Sequence, residues 1–348
     1  VRIGSLFTGY GGLDMAVRAA LGGGHTAWHS DTKPASVTLL AHHHPEVPNL
    51  GDMTVIDYAA APPIDVLAAS WPCQPHSSAG KRLGEADPRA LWPHVARAIG
   101  TVRPALFFGE NVARVAGNGE LRRVVQTLGA LGYVGAWRCV RASDVEAPHR
   151  RDRCFVVAVD PAAYPFGGGL AQHPERDGGP DAGEVCARGL DAVRRGARGP
   201  DRLTLLPTPR AGDAIRGGGD ATAAERAMRG DAGRTSATGM SLPRAVTLLP
   251  GRWGEYAPAV EHWGTVLGRP APAPTQPAAR APHGPQLAPA FVEWMMGLPA
   301  GHVTDVPGLT RAQCLSLLGD GVVPQQGAYA FRFLLAHLAE RLASTAAA

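Results

Sequence analysis

Three observations predict an α/β fold with a second, loop-rich domain attached. Short apolar runs alternate with amphipathic stretches from residue 1 to about 160, the pattern of successive βαβ units. From about 160 to 285 that periodicity stops, and glycine and proline take over. Order returns at Phe291-Val-Glu-Trp-Met-Met296, and the chain closes on an amphipathic helix. A chain of 348 residues can bury a sizeable core, and two domains are expected.

The expected strands lie near residues 2–7, 26–30, 65–70, 105–109, 134–141 and 153–159. Between them Leu13, Val17 and Leu21 recur at helical spacing, as do Leu121, Val124, Val125 and Leu128. His42-His-His44 ends the second helix; with no nearby Cys or acidic cluster it is not read as a metal tract. In the second domain, glycine and proline dominate Phe166-Gly-Gly-Gly169, Arg216-Gly-Gly-Gly219 and Arg269-Pro-Ala-Pro-Ala-Pro274. A flexible segment is expected near 166–200. Trp253, Tyr256, Trp263 and the repeated Thr-Leu-Leu-Pro at 204–207 and 247–250 still require packed structure there. Trp294 and Met295-Met296 read as core packing in a joining segment, 291–314. On the last helix Ala328, Phe331, Leu335, Leu338 and Leu342 share a face. Its expected dock is the first domain's sheet, which makes that domain discontinuous, 1–160 plus 315–348, around a second domain at 161–290.

Composition excludes some classes and leaves others open. Five scattered cysteines (Cys73, Cys139, Cys154, Cys186, Cys314) form no C-x-x-C pair, which argues against a zinc site or disulfide framework and fits a reducing compartment. No apolar run approaches the roughly 20 residues of a membrane span, and the first residues read as a strand instead of a signal peptide. A soluble, cytoplasmic protein is expected. The formal charge of +4 permits nucleic-acid binding without establishing it. Only Lys33 and Lys81 are lysines, and such Arg-, Gly- and Pro-rich usage is what a GC-rich genome imposes.

The residues suited to chemistry stand at strand ends. Cys73 lies in Trp71-Pro-Cys-Gln-Pro75, directly after the apolar run at 65–70. A lone cysteine is usually a small buried hydrophobe. Here the flanking prolines fix a non-helical turn that presents the thiol. Glu110 in Glu110-Asn-Val112 ends another apolar run, so its carboxylate is expected on the same sheet edge. Phe7-Thr-Gly-Tyr-Gly-Gly12 is a glycine turn between the first strand and first helix, where backbone can approach a ligand closely. It is not G-x-G-x-x-G, so a dinucleotide is not implied. Asp31 after the second strand and Asp52 in Gly51-Asp-Met53 could each be a helix cap or turn residue. The ordered series of glycine turn, acid, acid and cysteine favours covalent chemistry beside a nucleotide-like cofactor.

That series resembles the DNA (cytosine-5) methyltransferases, which use S-adenosylmethionine. The matching pieces are Phe7-Thr-Gly-Tyr-Gly-Gly12, Pro72-Cys-Gln-Pro75, Ala79-Gly-Lys-Arg-Leu-Gly84 with Asp87-Pro-Arg89, Glu110-Asn-Val112, His149-Arg-Arg-Asp-Arg153 and Leu318-Gly-Asp-Gly-Val-Val323. They occur in the family's order and cover most of 1–160 and 290–345. The resemblance implies a doubly wound Rossmann-like methyltransferase sheet, with a target recognition domain in the unmatched 161–290 stretch. It implies that Cys73 adds to C6 of a flipped-out cytosine and that C5 then takes the cofactor's methyl group. Glu110 acts at ring N3 and needs a raised pKa for that task. Arg153, and less directly Arg151, bind the base near O2. Around the cofactor stand Phe7, Gly9, Tyr10 and Gly12, with Asp31 for the ribose, Asp52 and Met53 for the adenine, Pro72 and Leu91 for the remaining wall, and the turn at Asp320. Ser77, Lys81 and Arg89 meet DNA from a mobile loop, and Arg216 is the arginine of the variable stretch assigned to DNA. No metal is implied.

Two positions depart from the family. His149 replaces a glutamine, and both side chains can hydrogen-bond. Asp320 replaces an asparagine, which puts a negative charge near the methyl donor; tolerated variation is the simple expectation, altered donor preference the minor one. The implied partner is double-stranded DNA, met by a monomer in a bacterial or phage-infected cell. A restriction–modification setting would add a cognate restriction endonuclease. Two readings compete: a tRNA cytosine-5 methyltransferase, and a DNA-binding homologue that has lost catalysis. The long unmatched stretch favours DNA over tRNA, and retention of Cys73, Glu110, Arg151 and Arg153 argues against lost catalysis. The Glu-Asn-Val motif argues against a third, the uracil methylases.

Overall fold

A computed structural model describes residues 1–72, 91–117, 119–163, 203–214, 241–247, 253–277 and 285–346. The chain forms two compact units. The first comprises Val1–Val140, Asp152–Gly178 and Gln326–Ala348, and the second Arg141–Arg151 and Gly179–Gln325.

The first unit is built on six strands: β1 (Arg2–Leu6), β2 (His25–Ser30), β3 (Val66–Ala69), β4 (Leu106–Val112), β5 (Val134–Val140) and β6 (Arg153–Val159). Their order across the sheet is β2-β1-β3-β4-β6-β5. β1 to β4 are parallel, whereas β6 runs antiparallel to both its neighbours, β4 and β5. The alternating texture suggested parallel βαβ units throughout, and the link from β5 to β6 explains the exception. It holds only a single 3-10 turn, Ala142–Val145, and no crossover helix to bring the chain back parallel.

Among the described residues, four helices of this unit lie before β5: α1 (Gly12–Leu21), α2 (Pro34–His43), α3 (Trp92–Val102) and α4 (Glu120–Ala130). Val95 and Ile99 of α3 and Val124 and Leu128 of α4 pack with Leu67, Ala69, Phe107, Val156 and Ala158 on one face of the sheet. Phe108 points the other way and meets Phe331 of the C-terminal helix edge-on, ring centroids 4.8 Å apart. Arg332 of that helix donates to the carbonyls of Ala19 and Ala20 at the end of α1. Both sheet faces are therefore covered, as a doubly wound fold requires. Val125 is 40% exposed and does not join the α4 core stripe. The histidine tract ends α2, with His44 as its C-cap.

The described part of the second unit contains the helices α5 (Leu242–Thr247), α6 (Ala257–Val266), α7 (Pro289–Met295) and α8 (Arg311–Asp320), and a small hairpin of β7 (Thr275–Gln276) and β8 (Gln286–Leu287). Its core is aromatic: Phe291 stacks between Trp253 and Trp294, and Trp263 donates its indole N–H to the Trp294 carbonyl at 3.0 Å. Glu293 is buried, and its carboxylate accepts the backbone N–H groups of Gly301, Val303 and Thr304. Residues 291–314, the expected hinge, group with this unit, and 291–298 are buried. Residues 141–151 and 315–325 also group with this unit, not with the sheet. Ala142 N–H bonds Arg150 O, Leu206 N–H bonds Pro148 O, and α8 packs on a one-turn helix at Ala211–Ala214. The last helix, α9 (Pro324–Ala346), joins the first unit from Gln326 onward. Among the described residues no helix is long and apolar enough to cross a membrane.

Candidate active site at the carboxyl edge of the sheet

Chain order reverses between β1 and β3, since β2 lies on one side of β1 and β3 on the other. Open α/β sheets bind ligands outside the strand carboxyl ends at such a switch point. Leu6, Ser30, Ala69 and Gly109 stand in register across β1, β2, β3 and β4. The expected chemical residues follow each of these positions within a few residues.

After β1 the chain turns sharply. Phe7 has φ 54°, a left-handed conformation unusual for a residue with a side chain, and its N–H bonds Ser30 O at 2.9 Å. Gly9 also has positive φ, and a Cβ added there would meet no described atom within 4 Å. Its N–H donates to Asp31 Oδ2 at 2.8 Å, while Asp31 Oδ1 accepts from Lys33 N. The glycine turn and the acid after β2 are thus one hydrogen-bonded assembly. Gly12 opens α1. Tyr10 is 1% exposed. Asp52 is exposed; hydrogen bonds from Thr54 N and Oγ1 hold its carboxyl below the ordinary range. Met53 beside it is buried.

After β3, Trp71 is buried against Trp92 and Pro72 is exposed. Cys73 follows; with Ser77, Lys81 and Arg89 it lies outside the described residues, as do Arg216 and the 166–200 segment. Trp71 is held from β4 by two residues that periodicity did not single out. Asn111 Nδ2 donates to Trp71 O at 3.1 Å, and Gly109 leaves the room that the Trp71 ring fills. Leu91 is the N-cap residue of α3.

Glu110 sits at this edge of β4, 6% exposed, and Arg153 at the start of β6 places Nε 2.8 Å from its Oε1. Removing either partner from so enclosed a pair would strand a charge. Arg151 occupies a different setting in the second unit. It has φ 34°, and its guanidinium donates to the carbonyls of Pro209, Gly319 and Gly321. Those bonds hold the turn on either side of Asp320, which is the exposed last residue of α8. His149 is fully buried and contacts Met295 O through Nε2 at 3.1 Å. Among the described residues no three His, Cys, Asp or Glu side chains converge on a metal position.

These features define a doubly wound α/β protein with a glycine turn at the switch point and an acid–guanidinium pair on the same sheet. Residues 1–174 match the sequence family described as C-5 cytosine-specific DNA methylase. The chain belongs to that family. It is 32% identical over 167 residues to the Type II methyltransferase M.NlaIV of Neisseria lactamica, an alignment covering 44% of this chain and 40% of that protein. Against the Type II methyltransferase M.HaeII of Haemophilus aegyptius it is 30% identical over 175 residues, 49% of this chain and 54% of the relative. The match therefore spans about half, or less, of these curated relatives. In fold, the S. pombe Dnmt2 methyltransferase superposes with a TM-score of 0.55 at 15% identity, covering 97% of this chain and 99% of that one.

Proposed function

We propose that the protein is a sequence-specific DNA (cytosine-5-)-methyltransferase that uses S-adenosylmethionine. One observation carries this reading. The strand that leads through Trp71-Pro72 into Cys73 is the direct neighbour of the strand that carries Glu110, with Ala69 opposite Gly109. A buried carboxyl thus stands on the strand next to the one after which the sequence reaches Cys73, which supports a thiol and an acid acting together on a pyrimidine ring.

The Phe7–Gly12 turn, Asp31, Asp52, Met53, Pro72 and Leu91 fit the cofactor, because turn backbone and two carboxylates border the switch point. When bound there, S-adenosylmethionine supplies an electrophilic methyl group. The protein's own residues make the ring reactive. The Cys73 thiolate adds to C6, which moves the ring's electron pair toward C5; once C5 is methylated, loss of the C5 proton expels the Cys73 thiolate and restores the ring. Glu110 provides a proton at N3 and so offsets the charge that builds on the base. Arg153 orients Glu110 and binds near O2. Arg151 serves as a positioning residue through the turn at Asp320. The target base leaves the duplex to be reached on both ring faces. Ser77, Lys81, Arg89 and Arg216 contact DNA, and residues 161–290 choose the sequence. The setting that fits is the bacterial or phage-infected cytoplasm, with the enzyme a monomer and a cognate restriction endonuclease its counterpart.

DNA carrying 5-fluorocytosine at the target is the direct test, because fluorine cannot leave C5 as a proton does. A covalent complex is expected with the wild type and none with Cys73→Ala, which keeps its cofactor affinity. Methylation by Cys73→Ala would overturn the nucleophile assignment.

A further inference from the structure

Arg97 of α3 lies outside every motif, yet its guanidinium is committed to the loop that carries Asp52 and Met53. Nη2 donates to Met53 O at 3.0 Å and to Thr54 O at 2.9 Å, and Nη1 donates to Ile56 O at 3.1 Å. The same group lies over the Tyr58 ring, 5.1 Å from its centroid, and Tyr58 Oη donates to Met53 O as well. Three carbonyls met from two nitrogens of one planar fork suit the fixed, spread donors of arginine better than the single-point ammonium of lysine.

The near end of this loop is tied by other means. Ser30 Oγ donates to Gly51 O at 2.8 Å. Asn49 Oδ1 accepts from Asp31 N and Gly51 N, and its Nδ2 donates to Asp31 O. Asp52 and Met53 therefore stand between two anchors: the end of β2 on one side and Arg97 on the other. Leu91, assigned to the remaining wall of the cofactor site, is the N-cap residue of the helix that bears Arg97.

We propose that Arg97 is a positioning residue for the cofactor: it fixes the Asp52–Met53 turn relative to α3, so that the adenine slot has its bound shape before the ligand arrives. The inference rests on the cofactor assignment above and adds a residue that touches neither cofactor nor DNA. Preformed slots bind more tightly because loop ordering is no longer charged against the ligand. The role thus predicts a change in cofactor affinity at unchanged chemistry.

Titration calorimetry with S-adenosylmethionine and steady-state kinetics on DNA test it in Arg97→Met, Arg97→Lys and Arg103→Met. Arg103 is the control. It caps the other end of α3, donates to Leu131 O, pairs with Asp160 and lies over the Tyr133 ring, all away from the loop. Arg97→Met is expected to raise Kd and KM for the cofactor about tenfold, with kcat at saturation and KM for DNA within twofold of wild type. Arg97→Lys is expected to fall nearer Arg97→Met than wild type. Arg103→Met is expected to lower the melting temperature and leave cofactor Kd alone. An unchanged cofactor Kd in Arg97→Met, or an equal rise in Arg103→Met, would overturn the inference while the site assignment stands. A wild type that binds no S-adenosylmethionine would remove both.

Discussion

A carboxyl that is 6% exposed keeps its place on β4 because a guanidinium from the neighbouring strand lies against it. Exchange of Glu110 for Gln preserves the shape and removes the titratable proton. The turnover of Glu110→Gln is expected to fall on the order of a hundredfold or more, the usual size of an acid–base contribution. Full activity of that variant across neutral pH would assign the proton to another group. Glu110 and Arg153 were legible as motif residues, whereas their contact was not, since it depends on β6 running beside β4. The duties of Arg97, Arg151 and Asn111 were hidden for a related reason: each bonds main-chain carbonyls far away in sequence, and a carbonyl carries no residue signature. His29 is another case. It is 1% exposed, and burial first, then His44 and Arg18, push its pKa down to about 4. An unfolded imidazole titrates near 6.5, so between about pH 6.5 and 4 the unfolded chain binds a proton that the folded one refuses. Stability present above pH 6.5 is therefore expected to drop through that window by up to about 3 kcal/mol from this residue. Denaturation midpoints at pH 7 and 4.5 check this, and His29→Gln is expected to flatten the slope.

Strand positions were readable element by element, because buried strands announce themselves as short apolar runs. Strand direction was not, since an apolar run reads the same either way; the missing crossover helix between β5 and β6 was the available clue. The end of α8 shows a similar limit. Gly319 looked like part of a motif, and the fold supplies the physical need. A Cβ at Gly319 would collide with the backbone of Arg210 and Ala211, where α8 lies against the one-turn helix. The atoms in the way are main chain and cannot rotate aside. Gly319→Ala is expected to cost roughly 1–3 kcal/mol through overpacking. It should also loosen the Arg151 clamp, read as a lower denaturation midpoint with faster hydrogen exchange at 319–321. A midpoint equal to wild type would show that this backbone contact yields easily.

At the level of the whole molecule, specificity is expected to follow the second unit. Replacing 161–290 with the equivalent stretch of a relative should move the methylated site, as read by sequencing DNA from a methylation-free host. Retention of the original site would place recognition elsewhere. The division of the chain adds a finer expectation. Arg141–Arg151 belongs to the second unit although it is flanked by β5 and β6 of the first, and its backbone pairs with Leu206. A graft that brings 141–151 and 291–325 along with 161–290 is therefore expected to yield more soluble, active protein than 161–290 alone.

The same interleaving bears on inheritance. The chain passes from one unit to the other at 140/141, 151/152, 178/179 and 325/326. A crossover that imports only the long variable stretch leaves behind 291–325 of the old unit and also an eleven-residue piece, 141–151, that lies between two sheet strands in the sequence. New specificities acquired by gene exchange would then have to arrive as two separated tracts, or be repaired afterwards by point changes within that short insert.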